Sequence, residues 1–129
     1  MKKTLLFVLV VACFASCKKD DNPKIPSVNG TWELRSISGG FSPGVSIAPG
    51  KGDKYQFNTN STYTKSSDGK ETAKGKFSIN FTGEERGFKY GTITFTNPDY
   101  RDAFSYKPDT IYIGTSIADG PTYQYIKIK

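Results

Sequence analysis

The sequence predicts an all-β domain, an eight-stranded antiparallel up-and-down barrel. Glycine, proline and asparagine punctuate the chain from Gly30 onward, and the runs between them are rich in Thr, Tyr, Phe and Ile. Apolar and polar residues alternate within these runs, as in Lys54-Tyr55-Gln56-Phe57, and no stretch keeps a helical period of about 3.6 residues. Short turns between neighbouring runs favour consecutive hairpins, which make a meander.

Each predicted strand is a run bounded by turn residues. The eight runs are residues 31–37, 54–58, 61–67, 71–81, 88–97, 101–107, 110–114 and 122–128. In the fifth run Phe88 and Tyr90 follow one phase of the alternation, whereas Ile93 and Phe95 follow the other. A change of phase inside a strand is typical of a bulge, and we expect one at Gly91.

Eight antiparallel strands in about a hundred residues leave exposed edges unless the sheet closes on itself. Closure gives a barrel just wide enough for a core or for one small ligand. A sandwich of two sheets is the alternative, but the uniformly short loops favour the barrel. The exception is the glycine- and proline-rich connection 39–52, which we interpret either as a lid over the barrel mouth or, without a binding role, as a floppy excursion or an added short strand.

Gly30-Thr31-Trp32, at the start of the first strand, resembles the Gly-x-Trp mark of lipocalins and related calycin barrels. Residues 119–127 resemble the closing strand of the small lipocalin-like lipoproteins of the Bacteroidetes. This resemblance implies that Trp32 closes one end of the barrel beneath a basic side chain of the last strand. The family commonly has arginine there, and this chain has Lys127, which keeps the charge without the flat guanidinium group.

The N-terminus has the layout of a secretory signal peptide, predicted over residues 1–16. Two lysines precede the apolar run 5–15, which as a helix reaches about 16 Å, far short of a ~30 Å hydrocarbon core. Phe14-Ala15-Ser16-Cys17 resembles a bacterial lipoprotein box, which implies acylation of Cys17 and a membrane anchor. A second box ending at Cys13 would leave a very short apolar segment, so we favour Cys17.

Residues 17–29 are predicted to be the lipid anchor and a hydrated linker, and residues 30–129 the barrel. Within the linker, Lys19, Asp20 and Asp21 resemble the surface-export signal of Bacteroidetes lipoproteins, a lysine followed by two acidic residues. The sequence therefore predicts a lipid-anchored outer-membrane protein on the cell surface. A periplasm-facing anchor is the alternative.

The composition argues against catalysis and against a metal or cofactor. The chain has no histidine, and its two cysteines lie in the first seventeen residues, so thiolate or imidazole zinc sites and Ser-His-Asp chemistry lack their residues. Glu84 and Glu85 are adjacent and cannot flank a sugar from opposite sides. The charge of +6 comes from scattered lysines, and because the protein is exported we expect no nucleic-acid partner.

Eight tyrosines suggest a barrel that could hold a small hydrophobic, amphipathic or glycan ligand, although we favour rings that fill the interior or cover the outer sheet. The candidate ligand-binding residues are Phe41, Tyr55 and Tyr90. The alternative function is that of a non-catalytic accessory or adhesion protein, which contacts another envelope component through the barrel exterior. Asp109-Thr110-Ile111 resembles the O-glycosylation sequon of Bacteroidetes exported proteins, which would place a sugar on Thr110.

Overall fold

The computed structural model describes residues 27–40, 43–114 and 120–129, and in these ranges the chain forms nine β-strands. The strands are β1 (Gly30–Ser38), β2 (Val45–Ser46), β3 (Lys54–Phe57), β4 (Thr62–Ser67), β5 (Lys70–Glu85), β6 (Phe88–Phe95), β7 (Tyr100–Lys107), β8 (Thr110–Ile113) and β9 (Thr122–Lys127). Every pairing between them is antiparallel. The described ranges contain no helix.

The sheet closes into a barrel. Its strand order is β2-β1-β3-β4-β5-β6-β7-β8-β9, and β9 pairs back onto β1 from Trp32 opposite Lys127 to Ser38 opposite Thr122. Eight strands, β1 and β3 to β9, therefore form a closed up-and-down barrel, which confirms the predicted fold class. Closure gives every main strand two neighbours, so the sheet has no free side along which another sheet could add.

The long connection after β1 adds a short strand. Val45 and Ser46 form β2, which pairs with Ile37 and Ser36 on the same side of β1 as β3. The chain then returns along β1, where the Ile47 N–H donates to the Arg35 carbonyl at 2.8 Å. Of the two interpretations of this segment, the added strand is the one that the described residues show.

The barrel interior is filled by alternate residues of the strands. Trp32, Phe57, Ile93, Phe104 and Ile111 are almost completely buried. Their polar neighbours along each strand face outward, because successive side chains of a strand point to opposite faces of the sheet. Burying such side chains contributes roughly 1.5–3 kcal/mol each, so this interior is the main source of stability.

β5 is longer than the sequence predicts. It runs for 16 residues, and it pairs with β4 as far as Lys76 and with β6 from Phe77 onward. Glu84 and Glu85 are its last two residues, and the turn that follows is Arg86-Gly87. Both glutamates are exposed, as expected for adjacent like charges.

The predicted bulge at Gly91 is wrong in its position. The register shift lies across the ladder in β5, between Phe81 and Gly83, while β6 keeps its alternation and turns Tyr90 outward. A Cβ atom at Gly91 would collide with the carbonyl oxygen of Asn80. Glycine at this position thus allows the two strands to approach closely, and the extra residue belongs to the partner strand.

Candidate functional site

A cavity of about 540 Å³ opens at one end of the barrel. This end, called the mouth below, is where β1, β4, β6 and β8 end and where β3, β5, β7 and β9 begin. The apolar part of the cavity wall comes from Leu34, Ala73, Phe95 and Ile113.

Tyrosine is the commonest residue type in the lining of the mouth. Five tyrosines from four different strands line the cavity: Tyr55, Tyr63, Tyr100, Tyr123 and Tyr125. Tyr55 stacks on Phe95 with ring centroids 5.4 Å apart, and it meets Tyr125 edge to face at 5.2 Å. Such contacts hold the rings in fixed positions, so the wall of the cavity is largely preformed.

Some of the tyrosine hydroxyl groups in the cavity form hydrogen bonds to the protein, and others do not. The Tyr63 hydroxyl donates to the Thr96 carbonyl at 2.7 Å, and the Tyr100 hydroxyl donates to the Asp102 carboxylate. The hydroxyls of Tyr55, Tyr123 and Tyr125 make no hydrogen bond to any residue in the described ranges. These three groups are available to a molecule inside the cavity.

The buried hydroxyls remain protonated over the physiological pH range. Burial, together with the neighbouring charges of Tyr63, Asp53 and Tyr123, raises the pKa of Tyr55 to about 12. Burial likewise raises the pKa of Tyr125 well above its ordinary value, with Tyr55 and Asp53 adding to the effect. A protonated hydroxyl both donates and accepts a hydrogen bond, so each can orient a polar group of a ligand.

Two charged side chains belong to the cavity. Asp53 immediately precedes β3, and its backbone carbonyl accepts a hydrogen bond from the Leu34 N–H at 2.8 Å. Lys65 lies on β4 opposite Tyr55, with its ammonium nitrogen 5.2 Å from the centre of the Tyr55 ring. That distance is within the range of a cation–π interaction.

A buried glutamate ties the segment before Asp53 to the barrel wall. Glu33 is only 2% exposed, and its Oε1 accepts a hydrogen bond from the Gly50 N–H at 2.8 Å. The same oxygen lies 2.7 Å from Nε of Arg35. Burial alone would raise the pKa of Glu33, but these two contacts outweigh it, so the pKa is lowered and the carboxylate stays charged.

The opposite end of the barrel is closed around Trp32. Its indole N–H donates to the Val28 carbonyl at 2.8 Å, and the Lys127 ammonium lies 5.6 Å from the centre of a Trp32 ring. Gly30 has a positive φ of 132°, and a Cβ atom there would collide with the carbonyl oxygen of Lys129. The Gly-x-Trp segment thus lies where the start of β1 meets the residues that follow β9, and the residues that we expected to close the barrel are neighbours.

Tyr90 does not belong to the cavity. It is 42% exposed on the outer face of β6, beside a surface groove of about 440 Å³ that Phe88 and Tyr112 also line. The Phe88 and Tyr112 rings lie 5.6 Å apart, and the Lys107 ammonium is 4.2 Å from the centre of the Phe88 ring. The structure therefore separates Tyr90 from Tyr55, with which the sequence analysis grouped it.

The other predicted site residues are distributed as follows. Thr110 is the first residue of β8, half-buried, and its hydroxyl donates to the Asp109 carboxylate at 3.1 Å. Phe41, Cys17 and the Lys19-Asp20-Asp21 segment lie outside the described residues. Sequence reasoning missed the charged cavity residues Asp53 and Lys65, although the alternation around Tyr55 could have placed a β4 partner beside it.

The described ranges contain no helix long and apolar enough to cross a bilayer. They also contain no group of three or more Cys, Asp or Glu side chains placed to hold a metal ion. No protein-family model, curated protein or solved structure matches this chain. The fold and the mouth define the class, a small antiparallel β-barrel with a cavity at one end.

Proposed function

We propose that this protein is a lipid-anchored, lipocalin-like binding protein whose barrel takes a small amphipathic ligand into the mouth. The observation that carries the proposal is the cavity itself, where buried aromatic rings surround three unused tyrosine hydroxyls. Its volume of about 540 Å³ is typical of small-molecule sites, which are mostly apolar with a few placed polar groups. The absence of histidine from the sequence supports binding rather than catalysis.

The chemistry of the cavity favours a ligand with an apolar body and a polar head. Leu34, Phe95 and Ile113 offer apolar surface, and burial of a ligand chain contributes ~25 cal/mol for each Å² removed from water. The hydroxyls of Tyr55 and Tyr125 have no hydrogen-bond partner among the described residues, so a polar head that reaches them gains hydrogen bonds. A glycan of small size meets the same description through ring stacking and hydroxyl contacts.

Ligand binding is best tested with three molecules that share an octyl tail: octyltrimethylammonium, octanoate and octyl glucoside. The protein is the mature chain, residues 17–129 with Cys17→Ser, which contains the whole barrel because β1 and β9 close it. Calorimetry should show saturable binding of at least one molecule at one site. Ala73→Phe, which fills the cavity, should weaken that binding at least about tenfold.

The matched control is Thr94→Phe, which adds a phenyl ring to the exposed outer face of β6. It should leave the affinity unchanged. If no octyl compound binds, or if both phenylalanine variants weaken binding equally, the proposed ligand site is wrong.

The proposed anchor rests on the sequence of the leader and the linker. Several acyl chains hold a protein firmly in a bilayer, because each buried methylene contributes ~0.8 kcal/mol. Labelled palmitate should be incorporated into the wild-type protein and into Cys13→Ser, but not into Cys17→Ser.

Surface exposure is tested by protease treatment of intact cells, which should remove the barrel. Replacing Lys19-Asp20-Asp21 by alanines should protect the barrel from the protease. Protection of the wild-type protein instead supports the periplasm-facing alternative.

The outer groove favours a second candidate, an accessory or adhesion protein that meets an envelope component through its exterior. Tyr90 is one of the few large hydrophobic residues that are exposed in the described ranges, and it lies beside Phe88 and Tyr112. Tyr90→Ala should reduce the fraction of mature chain that sediments with purified cell envelopes. Tyr100→Ala, an exposed tyrosine at the mouth, is the matched control and should have no effect.

A further inference from the structure

We infer that the mouth selects ligands whose polar head carries a positive charge, such as a primary or quaternary ammonium group. This inference rests on the proposed ligand site and names the class of ligand that the site takes. It follows from one carboxylate, one lysine and the tyrosine rings, which all line the same cavity.

Asp53 supplies a carboxylate to the wall of the cavity. Its side chain makes no hydrogen bond and no ion pair with any residue in the described ranges, and it is half-buried. A carboxylate against an aromatic wall loses part of its hydration, and a cation beside it restores the lost interaction.

Nearby basic groups on the outer face do not neutralise Asp53. Arg35 is paired with Glu33, and Lys54 is close enough to Glu33 to lower that residue's pKa. The negative charge of Asp53, in contrast, acts on the hydroxyls of Tyr55 and Tyr125, whose pKa values it helps to raise. The charge of Asp53 therefore acts on the part of the mouth where the Tyr55 and Tyr125 hydroxyls lie.

The aromatic wall of the cavity already holds a cation, the Lys65 ammonium group. The Lys65 ammonium lies 5.2 Å from the centre of the Tyr55 ring, in the same cavity as Asp53. Aromatic faces attract ammonium groups by about 0.5–2 kcal/mol, more strongly when water is excluded. The chain's own lysine therefore marks a position at which a cation is stabilised.

Lys65 can yield this position to a ligand. Its ammonium makes no ion pair among the described residues, and its flexible four-carbon stem lets it withdraw to the solvent at the rim. A ligand ammonium would then meet both the Tyr55 ring and the Asp53 carboxylate, while its apolar tail packs on Phe95 and Ile113. An anionic head would gain Lys65 but would be repelled by Asp53.

The test compares the affinities of the three octyl compounds for the mature chain by calorimetry. Octyltrimethylammonium should bind at least about tenfold more tightly than octanoate or octyl glucoside. Asp53→Asn should weaken the ammonium compound about tenfold and leave octyl glucoside within about twofold. Lys65→Met, which keeps the stem and removes the competing charge, should strengthen binding of the ammonium compound.

Asp99→Asn is the matched control, since Asp99 is an exposed acid in the turn beside Tyr100 and does not line the cavity. It should leave all three affinities unchanged, and thermal unfolding should show that each variant is folded. Tighter binding of octanoate, or an unchanged ammonium affinity in Asp53→Asn, overturns the inference but leaves the ligand site in place. Absence of binding by all three compounds overturns both.

Discussion

Replacing Glu33 by glutamine removes the buried charge that ties the segment before β3 to β1. The carboxylate accepts a hydrogen bond from the Gly50 N–H and pairs with Arg35, while its own side chain is 2% exposed. Glutamine has nearly the same shape and keeps one acceptor oxygen. The substitution therefore tests the charge and leaves the packing of the outer face almost unchanged.

The magnitude follows from these two contacts. A hydrogen bond to a charged group contributes about 1.5–3 kcal/mol, and glutamine retains a weaker version of one of them. Arg35 is 25% exposed, so water can rehydrate the guanidinium group that the substitution leaves unpaired. We expect the free energy of unfolding to fall by about 1–2 kcal/mol, less than the ~3–5 kcal/mol lost when one partner of a fully buried ion pair is removed.

The deficit should depend on pH in a defined direction. The folded-state pKa of Glu33 lies below its ordinary value of 4.5, so ionisation stabilises the folded state at any pH above that value. This contribution is lost as the pH falls through the lowered folded-state pKa. The difference between wild type and Glu33→Gln should therefore be full near neutral pH and shrink in acid.

Urea unfolding followed by the fluorescence of Trp32 measures the effect, because this residue is the only tryptophan and is fully buried. Glu84→Gln, at an exposed position on β5, is the matched control and should unfold like the wild type. An unfolding midpoint of Glu33→Gln equal to that of wild type, or a deficit as large in acid as at neutral pH, would refute the reasoning.

Three further measurements test the interior, the closed end and the mouth. Phe104→Ala removes a ring that is 1% exposed and should lower the free energy of unfolding, measured in urea, by about 3–5 kcal/mol. A decrease of less than about 1 kcal/mol would contradict a packed interior. Lys127→Met should lower the free energy of unfolding by about 0.5 kcal/mol, because the contact with the Trp32 ring is lost. Lys129→Met should leave the free energy of unfolding unchanged. Tyr55→Phe should reduce the phenolate absorbance that appears near pH 12, because burial raises the pKa of Tyr55 to about 12.

The strands and their hairpins could be predicted from the sequence because they depend on local patterns, whereas closure, which pairs β1 with the distant β9, was inferred only by preferring a barrel to a sandwich. Alternation within each run identifies a strand, and turns such as Lys107-Pro108-Asp109 allow only antiparallel neighbours. The position of the bulge could not be predicted. The phase change around Gly91 reflects a close approach by β5, and the approach depends on a backbone that is distant in sequence.

The sequence predicted that the barrel could hold a small ligand, but it did not predict which residues line the cavity. The sequence indicates which residues alternate, but it does not indicate the depth of each ring along the barrel axis. Tyr55 and Tyr90 look alike in sequence, yet Tyr55 faces the mouth and Tyr90 faces outward, because pairing and closure set the face of each strand.

The sequence by itself determined that this chain is all-β and built from consecutive antiparallel hairpins, since a period of two and short turns are properties of neighbouring residues. Only the tertiary structure decided that β9 pairs with β1, and that Asp53 and Lys65 share one cavity with tyrosine rings from four strands. The β3–β4 register sets Lys65 opposite Tyr55, and the hydrogen bond from the Leu34 N–H fixes Asp53 at the rim. Such contacts join residues far apart along the chain, and no local pattern specifies them.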